Sequence, residues 1–108
     1  MQFSNHTGYR NGIKGKVLSG EDLTELVDGL DNNGLLEGYS HMLTGYIGSE
    51  TFLKSIANVV DRLIAKNPNL KYVCDPVLGD NGHFYVPENL VDHFKTLIIP
   101  KAFMITPN

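Results

Sequence analysis

The sequence has one cysteine, Cys74, in 108 residues. One thiol cannot build an internal disulfide framework, so the disulfide-stapled secreted scaffolds drop out and a reducing, cytoplasmic setting is the expectation. Basic charge is also scarce. Nine Lys and Arg stand against twelve Asp and Glu, a net charge of -3 at pH 7, so there is no electrostatic footprint for nucleic acid. No apolar run approaches the roughly 20 residues that a membrane-spanning helix needs. The first residues, Met1-Gln2-Phe3-Ser4-Asn5-His6, lack the positive-then-apolar order of a signal peptide. Neither membrane nor secretion is expected. Internal repeats, low-complexity tracts and linkers are missing too.

What is present is ordinary for a globular chain: 42% hydrophobic and 19% charged residues, enough for a modest core in one domain or a piece of one. Residues 1–16 are punctuated by Asn5, Gly8, Asn11, Gly12 and Gly15 and read as irregular or weakly extended. Ser19 with Asp22 three residues on has capping-box spacing. Leu23, Leu26, Val27 and Leu30 then recur at helical intervals until Asp31-Asn32-Asn33-Gly34. Ser49 opens a second helix with Glu50 in its first turn. Its apolar stripe is Phe52, Ile56, Val59, Val60, Leu63 and Ile64, and Asn67-Pro68 stops it. Pro87 suits the first position of a third helix with Leu90, Val91 and Phe94 on its face. Strands are expected over 39–44, 70–75 and 102–106. The order αβαβαβ implies three parallel strands joined by right-handed crossovers, with covering helices.

The most informative stretch is Tyr72-Val73-Cys74-Asp75-Pro76-Val77-Leu78-Gly79-Asp80. A buried strand, in which Cys74 is expected as a small core residue, stops at Asp75. Pro76 cannot donate to a ladder, Gly79 allows a turn, and Asp80 follows. The carboxyl edge of a parallel sheet is where ligands bind in open α/β folds. Two carboxylates there suit a hard cation that carries phosphates with it; they equally suit a solvated turn. The other strand ends are polar as well, Thr44-Gly45-Tyr46 and Thr106-Pro107-Asn108, and all three fall on one edge. His41, His83 and His93 match no metal spacing.

These segments carry a resemblance. Gln2-Phe3-Ser4-Asn5-His6-Thr7-Gly8-Tyr9, Leu43-Thr44-Gly45-Tyr46, the Tyr72-to-Asp80 stretch, Tyr85-Val86-Pro87-Glu88 and Ile105-Thr106-Pro107-Asn108 resemble, in order and over the whole chain, the pyridoxal kinases of the ribokinase-like superfamily. Related hydroxymethylpyrimidine kinases share the Asp-Pro-Val element but not the Phe3-to-Tyr9 segment. The resemblance implies a partial ribokinase-like α/β/α sandwich, with residues 1–16 as a lid-like segment and 17–108 as the αβαβαβ core. It implies phosphoryl transfer from ATP to the 5′-hydroxyl of pyridoxal, pyridoxine or pyridoxamine. Thr7, Phe3, His6 and Tyr46 match substrate-ring positions. Asp75, Asp80, Asn108 and Tyr85 match the nucleotide end. Asp75, Asp80 and Thr106 match cation positions, for Mg²⁺ or another divalent ion and for K⁺ or Na⁺. A family-like homodimer is also implied.

The sequence departs from that family in two places. It has no Trp, where one often follows the lid motif, and the loop Asn81-Gly82-His83-Phe84 is short for a flap. The family's catalytic base lies in a Gly-Thr-Gly-Asp motif that does not occur here, so no catalytic residue is assigned. The expectation is an internal fragment of a pyridoxal kinase, inactive by itself. The alternative is a truncated, non-catalytic product that binds a full-length subunit or a ligand.

Overall fold

The computed structural model describes the backbone of residues 2–4 and the whole of residues 10–108. Two short strands, β1 (Gln2–Ser4) and β2 (Gly15–Val17), pair antiparallel, Phe3 opposite Lys16. This hairpin stands in a region whose glycines and polar residues read as irregular or weakly extended; ladder bonds between backbones need no apolar alternation. Helix α1 (Gly20–Asn32) starts at Ser19, whose hydroxyl accepts from the Asp22 amide at 3.0 Å while the Asp22 carboxylate accepts from the Ser19 amide at 2.9 Å. The expected reciprocal cap is formed. Strand β3 (His41–Thr44) follows, then α2 (Glu50–Lys66), capped by the Ser49 hydroxyl on the Phe52 amide.

Strand β4 (Lys71–Cys74) leads into a second hairpin, β5 (Gly79–Asp80) and β6 (His83–Phe84). Helix α3 (Asn89–His93) begins two residues after Pro87 rather than at it. It runs on through a wider π-type turn, Phe94–Ile98, and a tight turn, Ile99–Lys101. Strand β7 (Met104–Ile105) is shorter than expected.

The sheet has the order β3-β4-β7, all parallel, as the alternation of helices and strands required. Its register pairs Met42 with Tyr72, Leu43 with Val73 and Met104, and Thr44 with Cys74 and Ile105. Successive residues point to opposite faces. Tyr72, Cys74, Thr44 and Met42 therefore turn inward, where they join one core with the stripe of α2 (Phe52, Leu53, Ile56, Val60, Leu63) and with Leu90, Phe94 and Ile98. The opposite row, Leu43, Val73 and Met104, is left open; Leu43 is 74% exposed and Met104 51%. Of the apolar face expected on α1, Leu23 and Val27 are buried but Leu26 is 57% exposed. The contact with α2 is narrow enough to cover positions four apart, and Leu26 lies beyond its rim.

Charged side chains close the α1–α2 seam. Arg62 reaches Asp28 at 2.7 Å and Asp31 at 3.1 Å, and Lys66 reaches Asp31 at 2.8 Å. The ammonium of Lys66, and next the guanidinium of Arg62, hold the Asp31 carboxyl below its ordinary value of 3.8. A carboxylate whose folded-state affinity for protons is depressed stabilises the fold above its ordinary value. That contribution is lost as pH falls through the folded value. Asp31→Asn is therefore expected to lower stability at pH 7 and to flatten the acid limb below about pH 4. Urea midpoints taken at pH 7 and pH 3 check this; equal losses at both pH values would show that the pair contributes through packing rather than charge.

Candidate nucleotide and cation site

The parallel register brings the three polar strand ends to one edge. The Asp75 amide donates to the Thr44 carbonyl at 2.8 Å, and the Thr106 amide to the Cys74 carbonyl at 3.0 Å, so the ladder runs one residue past each strand and stops where Pro76 and Pro107 lack an N–H. Thr44 itself turns inward: it is 7% exposed and its hydroxyl shares a 2.7 Å hydrogen bond with the buried Tyr72 phenol. Burial pushes that phenol above its usual range, so Tyr72 stays neutral and pins the β3–β4 pair. Asp75 is half-buried, and among the described residues its carboxylate has no hydrogen bond or ion pair. A half-buried carboxylate without a partner is the donor a cation would complete.

Beyond Asp75 the chain turns, the Val77 amide donating to the Asp75 carbonyl at 2.9 Å, and enters the β5–β6 hairpin. Its turn has Asn81 at φ 49° and Gly82 at φ 77°. Two successive positive φ values define a type I′ turn, for which Asn-Gly is the favoured pair. Gly79 is required for a different reason: a Cβ there would run into the His83 carbonyl across the ladder. The hairpin lifts Asp80 into solvent, opposite His83. The Asn81 amide donates to Asp80 Oδ1 at 2.8 Å. Asn108 Nδ2 donates to the Gly79 carbonyl at 2.9 Å and ties the hairpin to the end of the sheet. Gly79, Asp80, His83, Phe84 and Asn108 surround an open cavity of about 430 Å³.

Tyr46 stands apart from that cavity. With Thr44, Gly45, Ile47, Phe52 and Ile56 it lines a second one, of about 470 Å³, between the end of β3 and the helices. Its ring packs on Gly48, where a Cβ would come within 2.7 Å of the phenol oxygen, and it remains 46% exposed. An accessible aromatic face of this kind can stack on a flat ring. Tyr85 follows the hairpin, 56% exposed, with its amide donating to the Leu78 carbonyl at 2.8 Å. His6 and Thr7 lie outside the described residues, as does the side chain of Phe3.

Asp80 and Asn108 are thus brought together about one cavity, and Asp75 and Thr106 lie on the sheet edge from which the hairpin springs. No group of three or more His, Cys, Asp or Glu suited to a metal occurs among the described residues. The donors are all oxygens, two carboxylates and a hydroxyl. That set fits Mg²⁺, which is commonly held by one or two carboxylates plus substrate phosphates and water. The hairpin was legible in principle, since Asn-Gly between short strands is its strongest short-range signal. The Asn108 tie had no such signal, because it joins residues 29 positions apart in sequence.

No family model matches the chain. Solved structures do. Pyridoxal kinase from Leishmania donovani in complex with ADP superposes with a TM-score of 0.84 at 33% identity, covering 96% of this chain and 36% of that one. The same enzyme with ADP and pyridoxamine gives 0.86. Pyridoxal kinase from Entamoeba histolytica gives 0.84 at 36% identity. The fold is that of a ribokinase-like α/β kinase. Curated relatives narrow the class: pyridoxal kinase of Arabidopsis thaliana is 55% identical over all 108 residues, and the human pyridoxal kinase 46% identical over 112. Over its whole length the chain is similar to pyridoxal kinases. It spans about a third of the length of these relatives, 34% and 35% respectively.

Proposed function

We propose that these 108 residues form the substrate-ring and nucleotide–cation side of an enzyme that transfers the γ-phosphoryl group of ATP to the 5′-hydroxyl of pyridoxal, pyridoxine or pyridoxamine, giving pyridoxal 5′-phosphate from pyridoxal. The observation that carries this reading is the edge itself. Asp75, Thr106 and the hairpin with Asp80 meet at one end of a parallel sheet, in a chain related over its whole length to pyridoxal kinases. Solved relatives hold ADP with pyridoxamine and ADP with pyridoxine.

In this reading Asp75 and Asp80 would hold a divalent ion, and Thr106 would help to hold K⁺ or Na⁺. Such ions neutralise charge on the transferring phosphoryl group. The protein's part is to place the reactants, since phosphoryl transfer depends on positioning and electrostatics more than on covalent help. Tyr85 and Asn108 belong to the nucleotide end. Tyr46, Phe3, His6 and Thr7 belong to the pyridine ring, with residues 1–16 as its lid. A homodimer and a reducing, cytoplasmic setting for the lone buried thiol of Cys74 complete the proposal. No helix among the described residues is long and apolar enough to cross a membrane.

The test is an assay of the whole enzyme containing these residues, with ATP, Mg²⁺ and K⁺, offering pyridoxal and hydroxymethylpyrimidine in parallel. Pyridoxal 5′-phosphate formed in preference is the expected result; a preference for hydroxymethylpyrimidine would overturn the substrate assignment. In the same assay Thr7→Ala is expected to weaken pyridoxal binding by on the order of 0.5–1.5 kcal/mol, the worth of one hydrogen bond to the ring, with the KM for ATP unchanged. Equal losses for both substrates would point to collapse of the lid.

A further inference from the structure

We propose that Asn108 is a positioning residue, whose side-chain amide fastens the β5–β6 hairpin to the end of the sheet and so sets where the Asp80 carboxylate stands. The proposal rests on the kinase reading above for the task of Asp80, and on geometry for the fastening. The hairpin is a two-stranded ribbon of two residues a side, paired Gly79 to Phe84 and Asp80 to His83. A ribbon that small is marginal without outside support. Its own bonds are local: the ladder, the Asn81 amide on Asp80, and the Tyr85 amide on the Leu78 carbonyl. Among the described residues, the side-chain hydrogen bond that reaches it from the three-stranded sheet is the one from Asn108 Nδ2 to the Gly79 carbonyl, at 2.9 Å.

Three features make this bond a device for placing Asp80 rather than for holding up the fold. The bond lies at the surface, so it adds little to global stability. Its acceptor is the carbonyl immediately before Asp80, so a hinge motion there swings the carboxylate directly. Asn108 comes two residues after Thr106, and Thr106 is fixed to the sheet by its amide bond to the Cys74 carbonyl at 3.0 Å. The tie therefore links the two ends of the proposed cation site, Thr106 and Asp80, through one side chain. Only an amide or another donor can make it. A carboxylate of the same size cannot donate to a carbonyl.

The experiment uses the full-length enzyme carrying these residues, unaltered and as Asn108→Ala and Asn108→Asp. Amide hydrogen exchange is followed without nucleotide, then steady-state kinetics are measured against Mg²⁺–ATP. Exchange over residues 79–84 is expected to become roughly fivefold faster in both variants, the factor that loss of one ordinary hydrogen bond implies, with exchange in α2 unchanged. Turnover is expected to fall about tenfold in both, as is usual when a partner that orients a ligating group is removed. Unchanged exchange would overturn the fastening. Faster exchange with turnover intact, or a loss confined to the KM for ATP, would overturn the positioning of Asp80 and leave Asn108 only the nucleotide-end role that the resemblance implies. Lack of turnover in the unaltered enzyme would sink the kinase reading, and the exchange data would then decide the fastening alone.

Discussion

The 108-residue polypeptide, purified by itself and given ATP, Mg²⁺, K⁺ and pyridoxal, is expected to form no pyridoxal 5′-phosphate above a buffer blank. Two physical deficits lead to this. Transfer to a hydroxyl calls for a group within hydrogen-bond reach of the departing proton. At the sheet edge the available carboxylates are Asp75 and Asp80, and both are committed to the cation in the proposed arrangement. In the family this chain resembles, the base sits in a Gly-Thr-Gly-Asp motif at a helix start that also cradles the phosphoryl oxygens, and these 108 residues do not contain it. The second deficit is structural. The row Leu43, Val73 and Met104 leaves one sheet face open, and Phe103 beside it is 63% exposed. β3 and β7 are both edges among the described residues. An apolar face flanked by open edges favours association over a stable monomer. Light scattering on the same sample is expected to show species larger than a monomer. Product that survives removal of any contaminating full-length kinase would mean that a base is present in this segment after all.

In the complete enzyme, Asp80→Asn is expected to lower turnover by about a hundredfold, the scale typical of losing one preorganised charge-stabilising group, while shifting the melting temperature by no more than a degree or two. Asp80 is exposed, its carboxylate among the described residues accepts from the neighbouring Asn81 amide alone, and an asparagine oxygen can accept that bond equally well. The fold therefore has little to lose. The negative charge is what changes, and a Mg²⁺–nucleotide pair would feel it. Turnover at saturating Mg²⁺ and a thermal scan of the same preparations decide the matter. A melting temperature several degrees lower with unchanged turnover would show that Asp80 serves the hairpin.

The parts of this fold that the sequence announced were those governed by local chemistry. Ser19 with Asp22 and Ser49 ahead of Phe52 marked the helix starts because a cap bonds within three residues. The stripe from Phe52 to Leu63 marked α2 because burial enforces helical spacing. The parallel order followed from strands alternating with helices. Leu26 was misleading for a tertiary reason: the partner helix is not wide enough to cover it. The third helix ran past Phe94 to Lys101, and Phe94 and Ile98, four apart on one helical face, both reach the core. At the site, Asp75 and Asp80 could be singled out from the Pro and Gly beside them. Their support could not. The Thr44–Tyr72 bond and the Asn108–Gly79 bond join residues 28 and 29 positions apart, and long-range polar pairs leave no periodic trace in a sequence.

The central claim is that the β5–β6 hairpin and the end of β7 together receive the metal–nucleotide complex. Paramagnetic broadening tests it most directly: Mn²⁺–ATP is titrated into the isotope-labelled full-length enzyme and the amide signals are followed. The account predicts that signals from 79–84, Thr106 and Asn108 disappear first, with Asp75 among them, while those at the α1–α2 seam around Asp28 and Arg62 persist. Early loss at that seam, with the hairpin signals intact, would contradict it.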